Sequence, residues 1–427
     1  MIDGWTHPLR LNADPGRVVV RPFHLAWQAS GPDLSRVQKL AQAITALDSR
    51  TVRGELGVVL GDFAERHWQI EDVFERRFIE ISPKLGLSGP EPRPEMRKLI
   101  GAYFCHEYSY AAAALMNPTV VRHPDQSGLQ DGSVRIVLAL RAVGEGHIST
   151  IAFREAIIAE GRDLQLHPEP LFATAALLDH ETEQEIVAPV VRRHPDSSIS
   201  GTVIFPMTEA QRNGLEDLRL VEFTHDDGRR EFIGTYTAYS GHSIGSELLR
   251  TDDFDRFRLS PINGDAARNK GMALFPRKVD GEYLMLGRQD GQNLYLLHSD
   301  RLDCWEGGQL LLEPRYPWEF IQIGNCGPPI EIDEGWLVLT HGVGAMRKYS
   351  IGALLLDKDD PSIVLGRSVQ PILSAVDEDR EGYVPNVVYT CGAIRVGADL
   401  FLPYGVADSS VCFGFFPINS ILASMHG

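Results

Sequence analysis

The sequence predicts an all-β fold, a five-bladed β-propeller, with a helical extension at its N-terminus. Two observations predict the propeller. After Asn117 the chain breaks into short β-rich runs punctuated by Gly, Pro and Asp. Among these runs one form (turn, strand, turn, strand) returns at roughly 50-residue intervals, the period of a blade or solenoid unit. A third observation sets the extension apart, because the first third has helical rather than β texture. The boundary falls between residues 1–115, read as mainly helical, and residues 116–427, read as the propeller.

In the extension, Asp33 or Ser35 is positioned to cap a helix running to Asp48, and Val52 to Ile81 carries apolar residues at mixed three- and four-residue spacing. The Pro-rich segment Ser88–Pro94 interrupts the pattern, and an alanine-rich helix is expected from about Glu95 to Leu115. The stripe Phe63, Trp68, Ile70, Phe74 and Phe78 reads as packing surface, buried against the rest of the chain or in a homo-oligomer formed through these helices.

The recurrent segments are RIVLALRAV from Arg135, EFIGTYTAYSG from Glu231, EYLMLGRQDG from Glu282, GWLVLTHGVG from Gly335 and DLFLPYGVAD from Asp399. Successive starts lie 96, 51, 53 and 64 residues apart; the long first interval holds an irregular excursion from Gly161 to Arg212. Each unit has room for about four strands, and five units imply five blades. A β-sandwich is the second choice, because its turns would be closer and less regular.

Composition narrows the function. A net charge of −17 disfavours nucleic acid or an anionic membrane as partner. No run approaches the roughly 20 apolar residues of a spanning helix. The first residues lack a charged-then-apolar secretion signal, so a cytoplasmic location is expected. Five cysteines (Cys105, Cys304, Cys326, Cys391, Cys412) form no CxxC pair, which argues against a disulfide framework or a structural zinc. His123 to Gln126 has no metal-ligand spacing and reads as loop.

Equivalent positions on different blades converge on one axis. Arg141, Tyr239, Arg288, His341 and Tyr404 stand near the same point of the recurrent strand, so they are expected to line one central pocket. Singly, each has an ordinary explanation: a core histidine, or a strand-end arginine in a salt bridge. A second cluster is Gly214-Leu-Glu-Asp-Leu-Arg219. It is either a solvated acidic turn or a general acid held beside a cation, the group glycosidic cleavage needs to protonate its leaving oxygen.

The Glu216-Asp-Leu-Arg219 segment resembles the E-D-P-R motif of glycoside hydrolase family 130, the β-mannoside phosphorylases and β-mannosidases with a five-bladed propeller. Further segments match in order from about Asn117 to the C-terminus. Asn117-Pro-Thr119 is similar to the family's N-P-S/A entry, and Arg141 to its following sugar-binding arginine. Lys270-Gly-Met-Ala-Leu-Phe-Pro276 is similar to its basic residue before L-F-P, with Arg288 following; Gly335–Gly342 resembles its G-W-L-ϕ-ϕ-Y-H-G strand (ϕ apolar). Tyr349, Glu381 in REGYVPNVV and Asp408 in YGVAD match later motifs. Leu218 in place of the proline, and Thr119 in place of a small residue, depart from the pattern.

The resemblance implies a general acid at Asp217 and phosphate held by Lys270, Arg288 and His341. It implies substrate contacts by Asn117, Arg141, Glu216, Arg219, Tyr349, Glu381 and Asp408. Phosphate is then the co-substrate, with no metal or organic cofactor, and the reaction is an inverting phosphorolysis of a β-mannoside, with a β-1,2 linkage among the options, giving or using α-mannose 1-phosphate. The alternatives are an inverting β-mannosidase with Glu381 as candidate base, a non-catalytic carbohydrate-binding propeller, and, more remotely, a five-bladed furanosidase.

Overall fold

The structure, a computed structural model, describes residues 4–23, 27–28, 31–32, 34–179 and 188–426. The chain divides into two compact units: residues 16–109 with 170–175, and residues 1–15, 110–169 and 176–427.

The smaller unit contains helices Leu34–Thr45, Ser49–Phe63, Ile70–Ile81 and Pro94–Tyr103. Asp33 lies outside the described residues. Asp48, expected to end the first helix, instead begins the second: its carboxylate accepts from the N–H groups of Arg50 (2.8 Å) and Thr51 (2.9 Å). The segment expected from Val52 to Ile81 is two helices, and the last helix stops at Tyr103 instead of reaching Leu115. Beyond it the backbone pairs as strands, Cys105–Ser109 against Val18–Pro22, and the alanines that follow, Ala111–Ala113, form the turn into the next strand. Ile70, Phe74 and Phe78 of the apolar stripe are buried, the last in a cluster with Leu56, Leu99 and Ile100; Trp68 is exposed.

The larger unit is mostly β. Its strands form five antiparallel meanders. The first is Ala114–Arg122, Val134–Val143, Ser149–Ala159 and Asp163–Leu166; the second is Gly214–Thr224, Arg230–Tyr239, Ile244–Thr251 and Arg256–Pro261. The third is Ala273–Leu274, Tyr283–Gly287, Leu294–Ser299 and Gln309–Leu312. The fourth opens with Gln322–Asn325 and Ile330–Ile332 and continues through Gly335–Val343, Tyr349–Leu356 and Val364–Ser368. The fifth opens with Val388–Tyr389 and Ile394–Val396, continues through Asp399–Val406 and Ser410–Pro417, and is completed by Trp5–Asn12 from the start of the chain. Each recurrent segment of the sequence is the strand that pairs with the opening strand of its meander, an opening strand that is broken in two in the fourth and fifth.

The apolar clusters lie between successive meanders. Val137 and Phe153 pack with Leu220 and Phe257; Phe223 and Ile233 with Leu274 and Trp305; Phe275 and Leu296 with Trp336 and Leu354; Leu339 and Ile351 with Leu400 and Leu402. A fifth cluster joins the last meander to the first, through Phe401 and Phe413 with Ile136 and Leu138. A cavity of about 280 Å³ is lined by one segment from each meander, at Val120–Arg122, at Leu220, Val221, Glu222 and Thr224, at Pro276 and Arg277, at Pro328–Glu331 and at Ala393–Arg395. The opening segments of the meanders therefore run side by side.

Candidate active site

At the other end of those opening segments two backbone irregularities repeat. In the first strand of the first meander the register shifts between Met116 and Thr119, and Asn117 adopts φ 47°. In the first strand of the second it shifts between Glu216 and Arg219, and Asp217 adopts φ 58°. A bulge re-aims one side chain, and Asn and Asp are the non-glycine residues that best tolerate left-handed φ. That is the local reason for Asn and Asp at these places, and it brings their side chains together: Asn117 Nδ2 donates to Asp217 Oδ1 at 2.5 Å. Leu218, in the proline position, is 4% exposed and packs in the core beside Gly234. Thr119 is fully buried, and its hydroxyl accepts from Leu220 N (3.3 Å), tying the two bulged strands together.

Around Asp217 the charges alternate. Arg141 donates from Nη1 to Asp217 Oδ1 (2.9 Å) and from Nη2 to Glu216 Oε1 (2.7 Å), while Ser149 Oγ accepts from its Nε (2.9 Å). Lys270 Nζ donates to Glu216 Oε2 at 2.5 Å. Arg219 donates to the Asp217 carbonyl (2.9 Å) and to the Tyr389 hydroxyl (2.8 Å). Burial pushes the Asp217 carboxyl upward, but Arg141, Arg219, Lys270 and the Asn117 bond outweigh it and hold the group well below the usual carboxylate range.

The circuit continues through the third and fourth meanders. Gly271, next to Lys270, accepts from Asn325 Nδ2 (2.5 Å), and the Asn325 carbonyl accepts from His341 Nδ1 (3.0 Å). That bond fixes the proton on Nδ1, so His341 Nε2 accepts from Arg288 Nη1 at 3.0 Å. Burial, then Arg288 and Arg219, depress the imidazole well below its ordinary pKa against the opposing pull of the Asn325 bond and Asp217. His341, expected with Lys270 and Arg288 to hold phosphate, is therefore a neutral acceptor. Tyr349 stacks on it (ring centroids 6.0 Å apart, 14° between planes) and Tyr389 meets it at 63° (5.0 Å). Gly324 makes room for this pair, since a Cβ there would lie 2.6 Å from His341 Cε1 and 3.2 Å from Arg288 Cδ.

Asp408 sits in the last hairpin turn, with φ 48° after Ala407 at 50°. Burial and Asp217 push its carboxyl up to about 6, against the pull of Arg141 and Arg347. Glu381 is exposed and, among the described residues, is joined to the circuit by no hydrogen bond; its neighbour Gly382 packs against Ala407 and Ser409, at the turn that carries Asp408. Tyr239 and Tyr404 do not join the circuit. Tyr239 donates to Gly241 O (3.2 Å), and Tyr404 is buried beside Cys412 and Thr6. Strand parity explains Tyr404: Gly405, one residue on, is the one that faces Asn117.

Asn325, Gly324 and Tyr389 were not singled out from the sequence. Among the described residues no group of three His, Cys, Asp or Glu side chains is arranged to hold a metal, and no helix is long and apolar enough to cross a membrane. A larger cleft, about 570 Å³, lies in the helical unit between Gln42, Arg53, Pro90 and Arg93 and contains none of the candidate site residues.

A family model for glycoside hydrolase family 130, described as β-1,4-mannooligosaccharide phosphorylase, matches residues 197–426. The chain is 34% identical over 231 residues to a β-1,2-mannobiose phosphorylase of Listeria innocua, covering 52% of this chain and 63% of that one. It is 37% identical over 155 residues to a 1,2-β-oligomannan phosphorylase of a Thermoanaerobacter species, covering 36% of this chain and 52% of that one. The chain thus spans between half and two thirds of the length of these curated relatives. The fold is similar to that of the solved Listeria innocua β-1,2-mannobiose phosphorylase in complex with β-1,2-mannobiose, with a TM-score of 0.53 at 24% identity over 73% of this chain and 92% of that one. The chain belongs to glycoside hydrolase family 130.

Proposed function

We propose that this chain is an inverting β-mannoside phosphorylase and that its five meanders are the blades of a five-bladed β-propeller. The blade reading is supported by apolar clusters that pass from each meander to the next and from the fifth back to the first. The residues outside it, the helical part of 1–115, form an extension. Its exposed Val58 and Ile79 suit contact with a second copy of the chain. Free thiols at all five cysteines fit a reducing, cytoplasmic compartment.

One observation carries the choice of phosphate. Arg219 and Arg288 flank the neutral His341, and among the described residues neither has a carboxylate side chain within ion-pair distance; each also keeps a buried Nε without a partner. Guanidinium groups that no carboxylate pairs directly suit a dianion, which accepts several charge-assisted hydrogen bonds at once. Lys270, tied to Glu216, completes the set by turning toward the ligand. The bound phosphate attacks the anomeric carbon from the α face, forming the C1–O(phosphate) bond as the β-glycosidic C1–O bond breaks. Asp217 supplies the proton to the leaving oxygen, directly or through a sugar hydroxyl. Arg141, Glu216, Asn117, Tyr349 and Asp408 hold sugar hydroxyls, and Glu381 stands at the rim. The products are α-mannose 1-phosphate and the acceptor shortened by one mannose.

The test is incubation with β-1,2- and β-1,4-mannobiose with and without phosphate, assaying α-mannose 1-phosphate. Release of mannose at the same rate without phosphate would sink this reading in favour of an inverting hydrolase.

A further inference from the structure

Tyr389 links the two halves of the site. Its hydroxyl receives Arg219 Nη2 at 2.8 Å, and its ring packs edge-on to His341 at 5.0 Å and against Tyr349 at 6.2 Å. Accepting from Arg219 occupies a lone pair and leaves the phenolic proton to be placed. Among the described residues that proton has no acceptor. Tyr389 is only partly buried, unlike its neighbours Val388 and Thr390, so the ring borders open space. Burial pushes the phenol far above its ordinary pKa, with Arg219 opposing, so the group keeps its proton. A hydroxyl that accepts from a guanidinium is polarised and becomes a stronger donor.

We propose that Tyr389 donates this O–H to the bound phosphate, a contact additional to those of Lys270 and Arg288. The inference rests on the phosphorylase reading. A sugar hydroxyl would also accept such a bond. The two arginines without carboxylates, Arg219 on the tyrosine and Arg288 on the neighbouring imidazole, make a dianion the favoured acceptor. The role differs from packing, because the ring contacts to His341 and Tyr349 survive when only the oxygen is removed.

The experiment compares the full-length protein with Tyr389→Phe, measuring inorganic phosphate affinity by calorimetry and the KM for β-mannobiose. Phosphate affinity is expected to fall about tenfold or more, the loss of one hydrogen bond to a charged group, with the mannobiose KM within about twofold. Unchanged phosphate affinity, or a rise confined to the mannobiose KM, overturns the proposal. If Tyr389→Phe does not fold, 3-fluorotyrosine at position 389 keeps the ring and gives a more acidic donor; it should bind phosphate more tightly, and no change overturns the proposal. An unmodified protein that neither binds phosphate nor needs it fails the phosphorylase reading itself, a different result from failure of Tyr389 alone.

Discussion

Asp408 gives the most direct test of the electrostatics, because its cost to folding can be worked out. Its carboxyl titrates at about 6, where 3.8 is ordinary, and this value already includes the favourable pull of Arg141 and Arg347. The sign follows from linkage. An acid whose folded pKa is raised ionises first in the unfolded chain, so the folded protein loses stability as pH rises from about 4 through about 6 and no more beyond that. Two pKa units correspond to about 3 kcal/mol. Asp408→Asn removes the ionisation without disturbing the backbone, because residues 406–409 form a turn closed by Ser409 N to Val406 O (3.0 Å) with positive φ at both central residues, a conformation Asn adopts readily. The variant should therefore be more stable than the parent by about 3 kcal/mol at pH 7.5, relative to their difference at pH 4, while losing mannoside affinity. Urea unfolding followed by the fluorescence of the fully buried Trp305 and Trp336 measures this at both pH values. A stability difference that is the same at pH 4 and 7.5 would refute the argument.

The parts of the site visible in the sequence are those where a side-chain type is itself the requirement. Asp217 and Asn117 must be short, polar and tolerant of left-handed φ, and Arg141, Lys270 and Arg288 must be cations, so each leaves a recognisable letter at a recognisable place. The second strands were legible for a similar reason, since period and turn punctuation are local. What escaped is non-local. Trp5–Asn12 alternates only weakly, and its partner, Ser410–Pro417, is about 400 residues away, so nothing nearby announces a strand. Asn325 holds His341 through its backbone carbonyl, which any residue possesses, and Gly324 acts by lacking a side chain. Tyr389 reads as an ordinary strand aromatic until Arg219, 170 positions earlier, is seen against it. The neutrality of His341 escaped as well, because a sequence shows neither burial nor the two arginines that depress its pKa.

Two further predictions concern the anion. Arg288→Ala should weaken phosphate by about 1.5–3 kcal/mol, read as a rise in phosphate KM, because one charge-assisted hydrogen bond is lost; unchanged phosphate dependence counts against the site. Gly324→Ala should raise the same KM by displacing His341 and Arg288 while leaving the KM for mannoside near the parent value, and an unaffected phosphate KM would show that the 2.6 Å approach is relieved elsewhere. The last prediction concerns the proton. Asp217, caged by Arg141, Arg219 and Lys270, is ionised in the free protein, yet the proposed role needs it protonated when the glycosidic bond breaks. The transition state then contains one proton more than the resting protein and the phosphate dianion together. That extra proton can arrive with the monoanion, which disappears above about pH 7. So kcat/KM for phosphate should fall tenfold per pH unit above about pH 7. Synthesis from α-mannose 1-phosphate must decline in parallel, since it passes through the same transition state. Below this limb the rate should rise through about pH 6 as Asp408 ionises, and Asp408→Asn should abolish that rise. If kcat/KM stays flat to pH 9 in both directions, the transferred proton is the phosphate's own, and Asp217 is not its source.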